Sequence, residues 1–338
     1  MIVNTHSNGS ETPLVSILMP AYNAERWIEE SLRSAIGQSW SHHEVIVVDD
    51  GSTDRTYEVA RQFESPSVKI VRQENQGAAA ARNMAYSLSR GGYIQWLDAD
   101  DLLETDKIAK QMEAVRQGVE KEILLSCEWG RFMYRKERAV YIPTALWQDL
   151  SPLEWLLKKM GQNVYMSPAT WLVSRELCDA AGPWDTRMIV DDDGEYFCRV
   201  LLASKGVHFV SQAKVLYRKT SVESVSKIGR SVDKLNAQWL SMKLHMKYLR
   251  SLEDSARARE VCVCYMQTWL PYYCLHQSNI VKEMERMAVE LGGKLTPPSL
   301  TWKYACIQKV FGWKAARETK LLLSSLRTTL ELFLDWCC

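Results

Sequence analysis

The chain has 338 residues and a formal net charge of +1, because 42 lysines and arginines nearly balance 41 aspartates and glutamates. This balance excludes the strongly basic surface expected of a nucleic-acid-binding protein. Nine irregularly spaced cysteines, a polar beginning without the apolar core of a signal peptide, and the lack of a long apolar run predict a cytoplasmic protein without a membrane span.

The first predicted strand covers residues 14–19 and ends at Pro20, Ala21 and Tyr22. A helix is predicted next, with Asn23 as its cap, because an asparagine side chain can accept a free N–H group of the first turn. One apolar stripe predicts the buried face of this helix: Ile28, Leu32, Ala35 and Ile36.

Two further predicted strands end in acidic segments. The apolar runs 45–48 and 93–97 are typical of buried parallel strands, and they lead directly into the acidic segments 49–54 and 98–101. Carboxylates repel one another at such a position, and a divalent cation is the simplest partner for them. Mg²⁺ is usually held by one or two carboxylates together with water and substrate phosphates. The pattern predicts a Mg²⁺ or Mn²⁺ site for a phosphorylated ligand, although the same acids could instead cap a following helix.

An alternating β/α order continues through residue 117, with a further strand near residues 68–71 and a helix near 108–115. In open α/β sheets, ligands bind beyond the carboxyl ends of the strands. We therefore expect the loops after the first, second and fourth strands to meet in one crevice. Strands at 123–126 and 170–173 and a helix at 152–159 are predicted for the middle of the chain, which is mixed.

Four motifs in this order resemble glycosyltransferases of family 2, which have the A-type, Rossmann-like fold that binds nucleotide-diphospho-sugars. The motifs lie at residues 15–23, 47–54, 74–83 and 97–101. The resemblance implies an α/β catalytic domain at 13–225, with a nucleotide-sugar half at 13–117 and an acceptor half at 118–225. We expect a disordered segment at 1–12 before this domain and a helical region at 231–338 after it.

The resemblance also assigns donor-binding roles near the first three motifs. Pro20, Ala21 and Tyr22 would line the site, with the Tyr22 ring against uracil; the alternative is a tyrosine that packs under its loop. Asp50 would accept a hydrogen bond from a base N–H, which uracil, thymine and guanine all offer. Uridine diphosphate is the expected carrier, and thymidine and guanosine donors are the alternatives.

Gly77 and Arg82 are predicted to receive the pyrophosphate. Gly77 allows a tight turn into an alanine-rich helix at 78–81, and the positive end of that helix would favour an anion. Arg82 adds a full positive charge, unless it is an ordinary solvent-facing arginine. In the Asp-x-Asp motif, the resemblance implies that Asp100 binds the metal directly and that Asp98 lies near the ribose and contributes to the metal site. Asp101 is expected to point away, on the side of the following helix.

A second acidic segment, Asp191–Asp193, precedes a predicted helix that contains Arg199. Family members carry an acidic pair here, and alignment on Arg199 places this pair at Asp192 and Asp193. Asp193 is the expected general base for the acceptor hydroxyl. The alternative is a helix beginning that carries acids only because they suit the helix dipole.

The segment 181–185 resembles the family's acceptor-side segment, which implies an acceptor role for Trp184 and Asp185. Trp184 could stack on a sugar ring, and Trp171 is a second candidate. From Ser231 onward the pattern is helical, with aromatic and basic residues interleaved. These helices could dock on a membrane interface or form a homodimer; the alternative is that their aromatic residues pack in the core.

The expected function is the metal-assisted, inverting transfer of a sugar from a nucleotide-diphospho-sugar, with UDP as the expected carrier. The acceptor would be a saccharide or lipid-linked hydroxyl in polysaccharide biosynthesis, in the cytoplasm or at the inner face of a membrane. One alternative is a catalytically inactive sugar-nucleotide-binding or scaffold protein of the same fold. Another is a phosphoacceptor signalling domain, which would need only the first part of the chain.

Overall fold

The computed structural model describes residues 12–219, 231–274 and 277–297, together with the isolated positions 309, 310, 319 and 323. The predicted segment at 1–12, apart from Thr12, lies outside the described residues, as do the predicted boundary near 220–230 and most of 298–338. The strands are β1 (Val15–Ala21), β2 (His43–Asp49), β3 (Val68–Arg72), β4 (Tyr93–Trp96), β5 (Leu102–Leu103), β6 (Ile123–Phe132), β7 (Val140–Tyr141), β8 (Leu172–Ser174) and β9 (Gly206–Arg218). The helices are α1 (Ile28–Ile36), α2 (Thr56–Arg61), α3 (Ala78–Leu88), α4 (Lys107–Arg116), α5 (Pro152–Gln162), α6 (Arg175–Ala181), α7 (Asp192–Ala203), α8 (Val232–Leu252), α9 (Ala256–Tyr273) and α10 (Ser278–Glu290).

In the described part of the chain, these strands form one mixed sheet in the order β3-β2-β1-β4-β8-β6-β9-β5, with β7 beside β6. The first four strands in this order are parallel, so their carboxyl ends lie at one edge. Ala21 at the end of β1 pairs with Asp49 at the end of β2, and Asp49 pairs with Arg72 at the end of β3. The four predicted strands of this half and the alternating α/β order are confirmed.

The first strands are apolar because they are covered on both sides. Every residue of β1 is buried, and so is β2 from Glu44 to Asp49. Helix α1 buries Ile28, Leu32 and Ala35 of its predicted stripe, whereas Ile36 remains 37% exposed. Burial on both faces, as in other parallel sheets, explains why these strands read as continuous apolar runs.

The second half of the sheet begins where β8 runs antiparallel to β4. The predicted strands at 123–126 and 170–173 correspond to β6 and β8, and the predicted helix at 152–159 corresponds to α5, which Ser151 caps. Strands β6 and β9 are parallel and form the longest pairing, with a register shift between Cys127 and Glu128. Strand β9 brings its end at Arg218 beside the acidic loop that follows β4.

Helices α8 and α9 pack on the second half of the sheet domain, with α8 against α7 and α9 against α5. One hydrophobic cluster extends from Val15 to Leu295 and includes residues of α8, α9 and α10. The core-packing alternative is confirmed for Trp239, Tyr265 and Tyr273, which are buried. Trp269 is partly buried against this cluster, whereas Tyr272 is 41% exposed. The remaining tryptophans on which the membrane hypothesis depended lie outside the described residues: Trp302, Trp313 and Trp336. Among the helices that the structure describes, none is both long and apolar enough to cross a bilayer.

Candidate functional site

Two loops at the carboxyl edge of the sheet are joined through Asn23. Helix α1 begins only at Ile28, so the prediction that Asn23 caps it is wrong. Asn23 instead has a positive φ of 48°, a conformation that asparagine tolerates better than most residues. Its Oδ1 accepts the N–H of Thr53 at 2.8 Å, and its own N–H donates to Ser52 Oγ at 3.0 Å. The adjoining Tyr22 is 52% exposed, so its side chain does not pack under the loop.

Asp50 organises the loop that follows β3. Its buried carboxylate accepts the N–H groups of Gln76 and Gly77 at 2.9 and 2.8 Å and the side-chain amide of Gln73 at 2.7 Å. Gly77 has φ 91°, a conformation that favours glycine, and it precedes α3 directly. Asp50 therefore shapes the turn at Gly77, and its expected contact with a nucleobase stays a prediction. Pro20 and Ala21 are the last two residues of β1, beside this loop system.

Arg82 lies at the centre of the site. Its side chain is 6% exposed, its Nη2 donates to Asp98 at 2.7 Å, and its Nη1 donates to Asp192. Burial opposes the positive charge, but the carboxylates of Asp192, Asp98 and Asp193 outweigh burial and raise the pKa of Arg82 above its ordinary value. The alternative of a solvent-facing arginine is wrong. Arg82 instead joins the loop after β4 to the beginning of α7.

Trp184 supports Arg82 and is not available as a stacking surface. It is 2% exposed, the ring of Tyr196 lies parallel to it at 4.1 Å, and the Arg82 guanidinium lies 4.4 Å from its centroid. Because these two groups cover its faces, the expected stacking of Trp184 on an acceptor sugar is wrong. The side-chain amide of Asn83, the residue after Arg82 in the third motif, holds the backbone of Trp184. Asn83 Oδ1 accepts the Trp184 N–H at 2.8 Å, and Asn83 Nδ2 donates to the Trp184 carbonyl at 2.9 Å.

The other acceptor-side candidates are placed differently. Trp171 is buried in the core, where it stacks on Phe197 at 5.2 Å, so it cannot bind a sugar. Asp185 has a side chain that is 18% exposed and pairs with the neighbouring Arg187 at 2.6 Å. Its acceptor role stays a prediction.

The Asp-x-Asp loop contains two partly exposed aspartates and one buried one. Asp98 and Asp100 are partly exposed, whereas Asp101 is 1% exposed. Asp101 does point away from the crevice, but towards β9 and not towards a helix, because it accepts the N–H of Arg218 at 2.8 Å. Burial, together with the charges of Asp100 and Asp98, raises the pKa of Asp101 well above its ordinary value. Arg218, which the sequence analysis did not identify, also donates from Nε to the Asp100 carbonyl at 2.8 Å.

A divalent cation fits the chemistry of this loop. Arg82 is paired with Asp98 and Asp192 and lies within reach of the charge of Asp193, and Asp100 belongs to the same acidic loop as Asp98. The described residues contain no group of three or more side chains that would form a complete protein cage for a metal. Mg²⁺ does not need one, since one or two carboxylates and substrate phosphates are its usual ligands. Asp98 and Asp100 are the residues that would hold it.

The three aspartates at the beginning of α7 have three different environments. Asp191, at φ 56°, accepts hydrogen bonds from Ser241 at 2.6 Å and Gln238 at 3.2 Å, both on α8. A Cβ atom at Gly194 would lie 2.1 Å from Asp191 Oδ1, so this arrangement requires glycine there. Asp192 pairs with Arg82, as described above.

Asp193, in contrast, has no hydrogen-bonding partner among the described residues. Burial raises its pKa to about 7, the charges of Asp192 and Asp191 add to this effect, and Arg82 opposes it. A carboxylate with a pKa near neutrality can accept a proton at physiological pH, which is the property required of a general base. The alternative that all three acids simply suit the helix dipole does not explain why Asp191 and Asp192 have specific partners whereas Asp193 has none among the described residues.

The chain resembles known glycosyltransferases. A family model described as Glycosyl transferase family 2 matches residues 16–180. The putative teichuronic acid biosynthesis glycosyltransferase TuaG of Bacillus subtilis is 44% identical over 104 residues, which are 30% of this chain and 41% of TuaG. Chondroitin synthase of Escherichia coli is 39% identical over 117 residues, 34% of this chain and 16% of that protein. The matched region thus spans less than half of these relatives.

A solved structure extends the similarity of fold to the helical region. A crystal structure of S. aureus TarS, residues 1–349, in complex with UDP-GlcNAc has a TM-score of 0.64 and 18% sequence identity, and the match covers 82% of this chain and 79% of that one. At this identity the likeness concerns the fold. Together with the matching family model and the relatives, it leads to one conclusion: residues 16–180 match glycosyltransferase family 2, and the described chain has the A-type fold.

Proposed function

We propose that this protein transfers a sugar from a nucleotide-diphospho-sugar to an acceptor hydroxyl, with inversion at the anomeric carbon. The observation that carries the proposal is the cluster of Arg82, Asp98, Asp192 and Asp193. It places a positive charge, two carboxylates paired with it and one unpaired carboxylate of raised pKa at the carboxyl edge of one sheet. This combination suits the departure of a diphosphate on one side and the removal of a proton on the other.

In this mechanism Asp193 accepts the proton of the acceptor hydroxyl as its oxygen attacks the anomeric carbon. The bond to the diphosphate breaks on the opposite face, and Arg82 stabilises the charge that develops on the leaving group. Preorganised charges of this kind commonly provide the largest share of catalysis. A divalent cation held by Asp98 and Asp100 would supply further charge neutralisation for the diphosphate. A single base without an enzyme nucleophile gives inversion.

The donor is proposed to be a uridine-diphosphate sugar. Tyr22 is exposed at the end of β1, where an aromatic ring can lie against a base, and Asp50 is adjacent in the same loop system. Each Asp50 oxygen has two acceptor positions, and among the described residues Oδ2 accepts one hydrogen bond, from the Gly77 N–H, which leaves capacity for a base N–H. UDP-GlcNAc in the TarS crystal structure supports a uridine carrier for this fold.

The acceptor is proposed to be a saccharide or a lipid-linked saccharide of a growing polysaccharide, encountered in the cytoplasm or at the inner face of a membrane. The names of the relatives, which include a teichuronic acid biosynthesis glycosyltransferase and chondroitin synthase, support this class of product. Contact of the C-terminal helices with a membrane or with a second copy of the chain remains part of the proposal. A catalytically inactive sugar-nucleotide-binding protein is the alternative function.

The test is the release of nucleoside diphosphate from a panel of UDP-, TDP- and GDP-sugars, with Mn²⁺ and with excess chelator. We expect turnover of UDP-sugars with the metal alone, and a loss of about 10²–10⁴-fold in kcat for Asp193→Asn with UDP affinity retained. Asp106→Asn is the matched control, since it changes an aspartate that is paired with Lys110 and has no proposed role in the site. Binding of UDP without turnover of any donor would favour the inactive alternative.

A further inference from the structure

An aromatic patch with an exposed arginine lies in the second half of the sheet. In the parallel pairing of β6 and β9, Arg131 is the register partner of Tyr217, and Trp129 lies two residues before Arg131 on the same face of β6. The ring centroid of Trp129 is 5.8 Å from that of Tyr217 and 5.2 Å from that of Tyr165, in the segment after α5. Tyr165 is 41% exposed, so it forms the accessible surface of this patch.

Arg131 carries a positive charge that no carboxylate of the described residues neutralises. Its guanidinium carbon lies 4.8 Å from the Trp129 centroid and 5.6 Å from the Tyr165 centroid, and its Nη2 donates to Tyr165 Oη at 3.1 Å. The side chain is exposed and, within the described residues, has no carboxylate at ion-pair distance. Stacking on aromatic rings holds the planar guanidinium in place while leaving further N–H groups for an anion.

The patch borders the catalytic cluster. Ser167, two residues after Tyr165, donates to Asp101 at 3.5 Å, and Arg218, next to Tyr217, binds Asp101 and the Asp100 carbonyl. Burial raises the pKa of the Tyr165 hydroxyl, Arg131 opposes this, and the charge of Asp193 adds to it. The segment that carries Tyr165 thus adjoins the acidic loop through Ser167. The donor loops, in contrast, follow β1, β2 and β4 on the other half of the sheet.

We propose that this patch, formed by Trp129, Arg131, Tyr165 and Tyr217, is the acceptor subsite and selects an acceptor that carries a negative charge. The proposal rests on the proposed function. A sugar ring of the acceptor stacks on Tyr165, and Arg131 binds an anionic substituent of that acceptor. A uronic acid carboxylate, which is planar, and a phosphate ester, which is tetrahedral, are the two candidate substituents. Both are oxyanions that a guanidinium binds through paired N–H groups.

The test uses three probes with one ring, which differ only at carbon 6: methyl β-glucoside, methyl β-glucuronide and methyl β-glucoside 6-phosphate. Their dissociation constants are measured by ligand-observed NMR on the full chain with UDP and Mn²⁺. We expect at least one charged probe to bind about tenfold more tightly than the neutral one, as hydrogen bonds to a charged group would provide. The tighter of the two charged probes identifies whether a carboxylate or a phosphate is preferred.

Two variants and one control separate the parts of the subsite. Arg131→Ala should abolish the preference for charge and leave binding of the neutral probe unchanged, whereas Tyr165→Ala should weaken all three probes. Arg135→Ala, which removes another exposed arginine close by in sequence, should change nothing. Equal binding of the three probes by the unmodified chain overturns the proposal, and so does a charge preference that survives Arg131→Ala.

Failure of the inference and failure of the proposed function give different results. UDP binding and the slow hydrolysis of a UDP-sugar without acceptor require the donor site and the catalytic cluster, so they should be unchanged in Arg131→Ala. If these two signals are present and the probes show no dependence on Arg131, only the acceptor subsite is wrong. If the unmodified chain binds no nucleotide diphosphate and hydrolyses no donor, both proposals are overturned.

Discussion

The donor side and the base side of the crevice are built in different ways. On the donor side, Tyr22, Asp50 and Asp98 each lie within two residues of a parallel strand of the same half-sheet. On the base side, Asp193 follows a turn that is held by Ser241 and Gln238 of α8, about 50 residues further along the chain. The proposed donor side is thus organised by local strand ends, whereas the proposed base is positioned through a helix that follows the sheet in the chain, α8. Arg82 connects the two sides.

Replacement of Arg82 should have the largest effect, because both sides depend on it. Arg82→Gln leaves the carboxylates of Asp98 and Asp192 without their partner, and breaking a buried ion pair costs about 3–5 kcal/mol of unfolding free energy. Because these carboxylates are partly exposed, we expect about 3 kcal/mol by chemical denaturation, together with a loss of activity above about 10³-fold. Arg33→Gln, which removes an exposed arginine paired with Glu29, is the control and should cost less than about 0.5 kcal/mol. A variant as stable and active as the Arg33 control would show that the two sides are not connected through Arg82.

Replacement of Ser241 should affect the base side alone. Ser241→Ala removes the 2.6 Å hydrogen bond to Asp191 and so loosens the turn that presents Asp193. The loss of one hydrogen bond to a charged group corresponds to a roughly tenfold to hundredfold lower kcat, with the dissociation constant of UDP unchanged. Ser251→Ala is the matched control on the same helix, because the Ser251 hydroxyl donates to the carbonyl of Tyr248 in its own helix, away from Asp191. If Ser241→Ala weakens UDP binding as strongly as it lowers kcat, the division between the two sides does not hold.

The smallest of the three expected effects is the dependence of kcat/KM on pH, which should have no counterpart in the affinity for UDP. The pKa of Asp193 is raised to about 7, so this group is protonated and inactive as a base below that pH and loses its proton above it. We expect kcat/KM to rise roughly tenfold between pH 6 and pH 8, with no matching change in the affinity for UDP over the same range. Asp193→Asn should remove this rise. A rise of the same size that persists in the variant would assign the titration to another group.

The sequence predicted those parts of the site that lie directly after the ends of parallel strands. The ends of β1, β2 and β4 could be placed because apolar runs stop at polar residues and parallel strands align their ends at one edge. Strand β9 had no such signal, since lysine, histidine and glutamine interrupt its apolar residues, and consequently Arg218 was missed. The partners of Asp191 were also beyond prediction, because nothing in the spacing of Gln238 and Ser241 on α8 indicates which loop that helix will meet.

Trp184 shows a second limit of sequence-based prediction. Its position in a glycine-aromatic-aspartate segment suggested a surface for sugar stacking, but its environment depends on Tyr196 and Arg82, which come from different elements. Aromatic side chains bury a large area and pair readily with other rings, so burial competes strongly with ligand binding. The pairing of Asn83 with both backbone groups of Trp184 could be recognised only once the loop was placed beside α3.

The contact between α8 and Asp191 has a consequence for recombination and protein engineering. A chimaera that keeps this chain through α7 and takes the following helices from a relative would bring the native α7 against a foreign α8. Asp191 would then lack the Ser241 hydroxyl and the Gln238 amide that hold it, unless the foreign helix happened to supply equivalent groups. The exchangeable unit therefore extends from the acceptor half through α8, and a crossover placed between α7 and α8 should yield folded hybrids with a poorly oriented base.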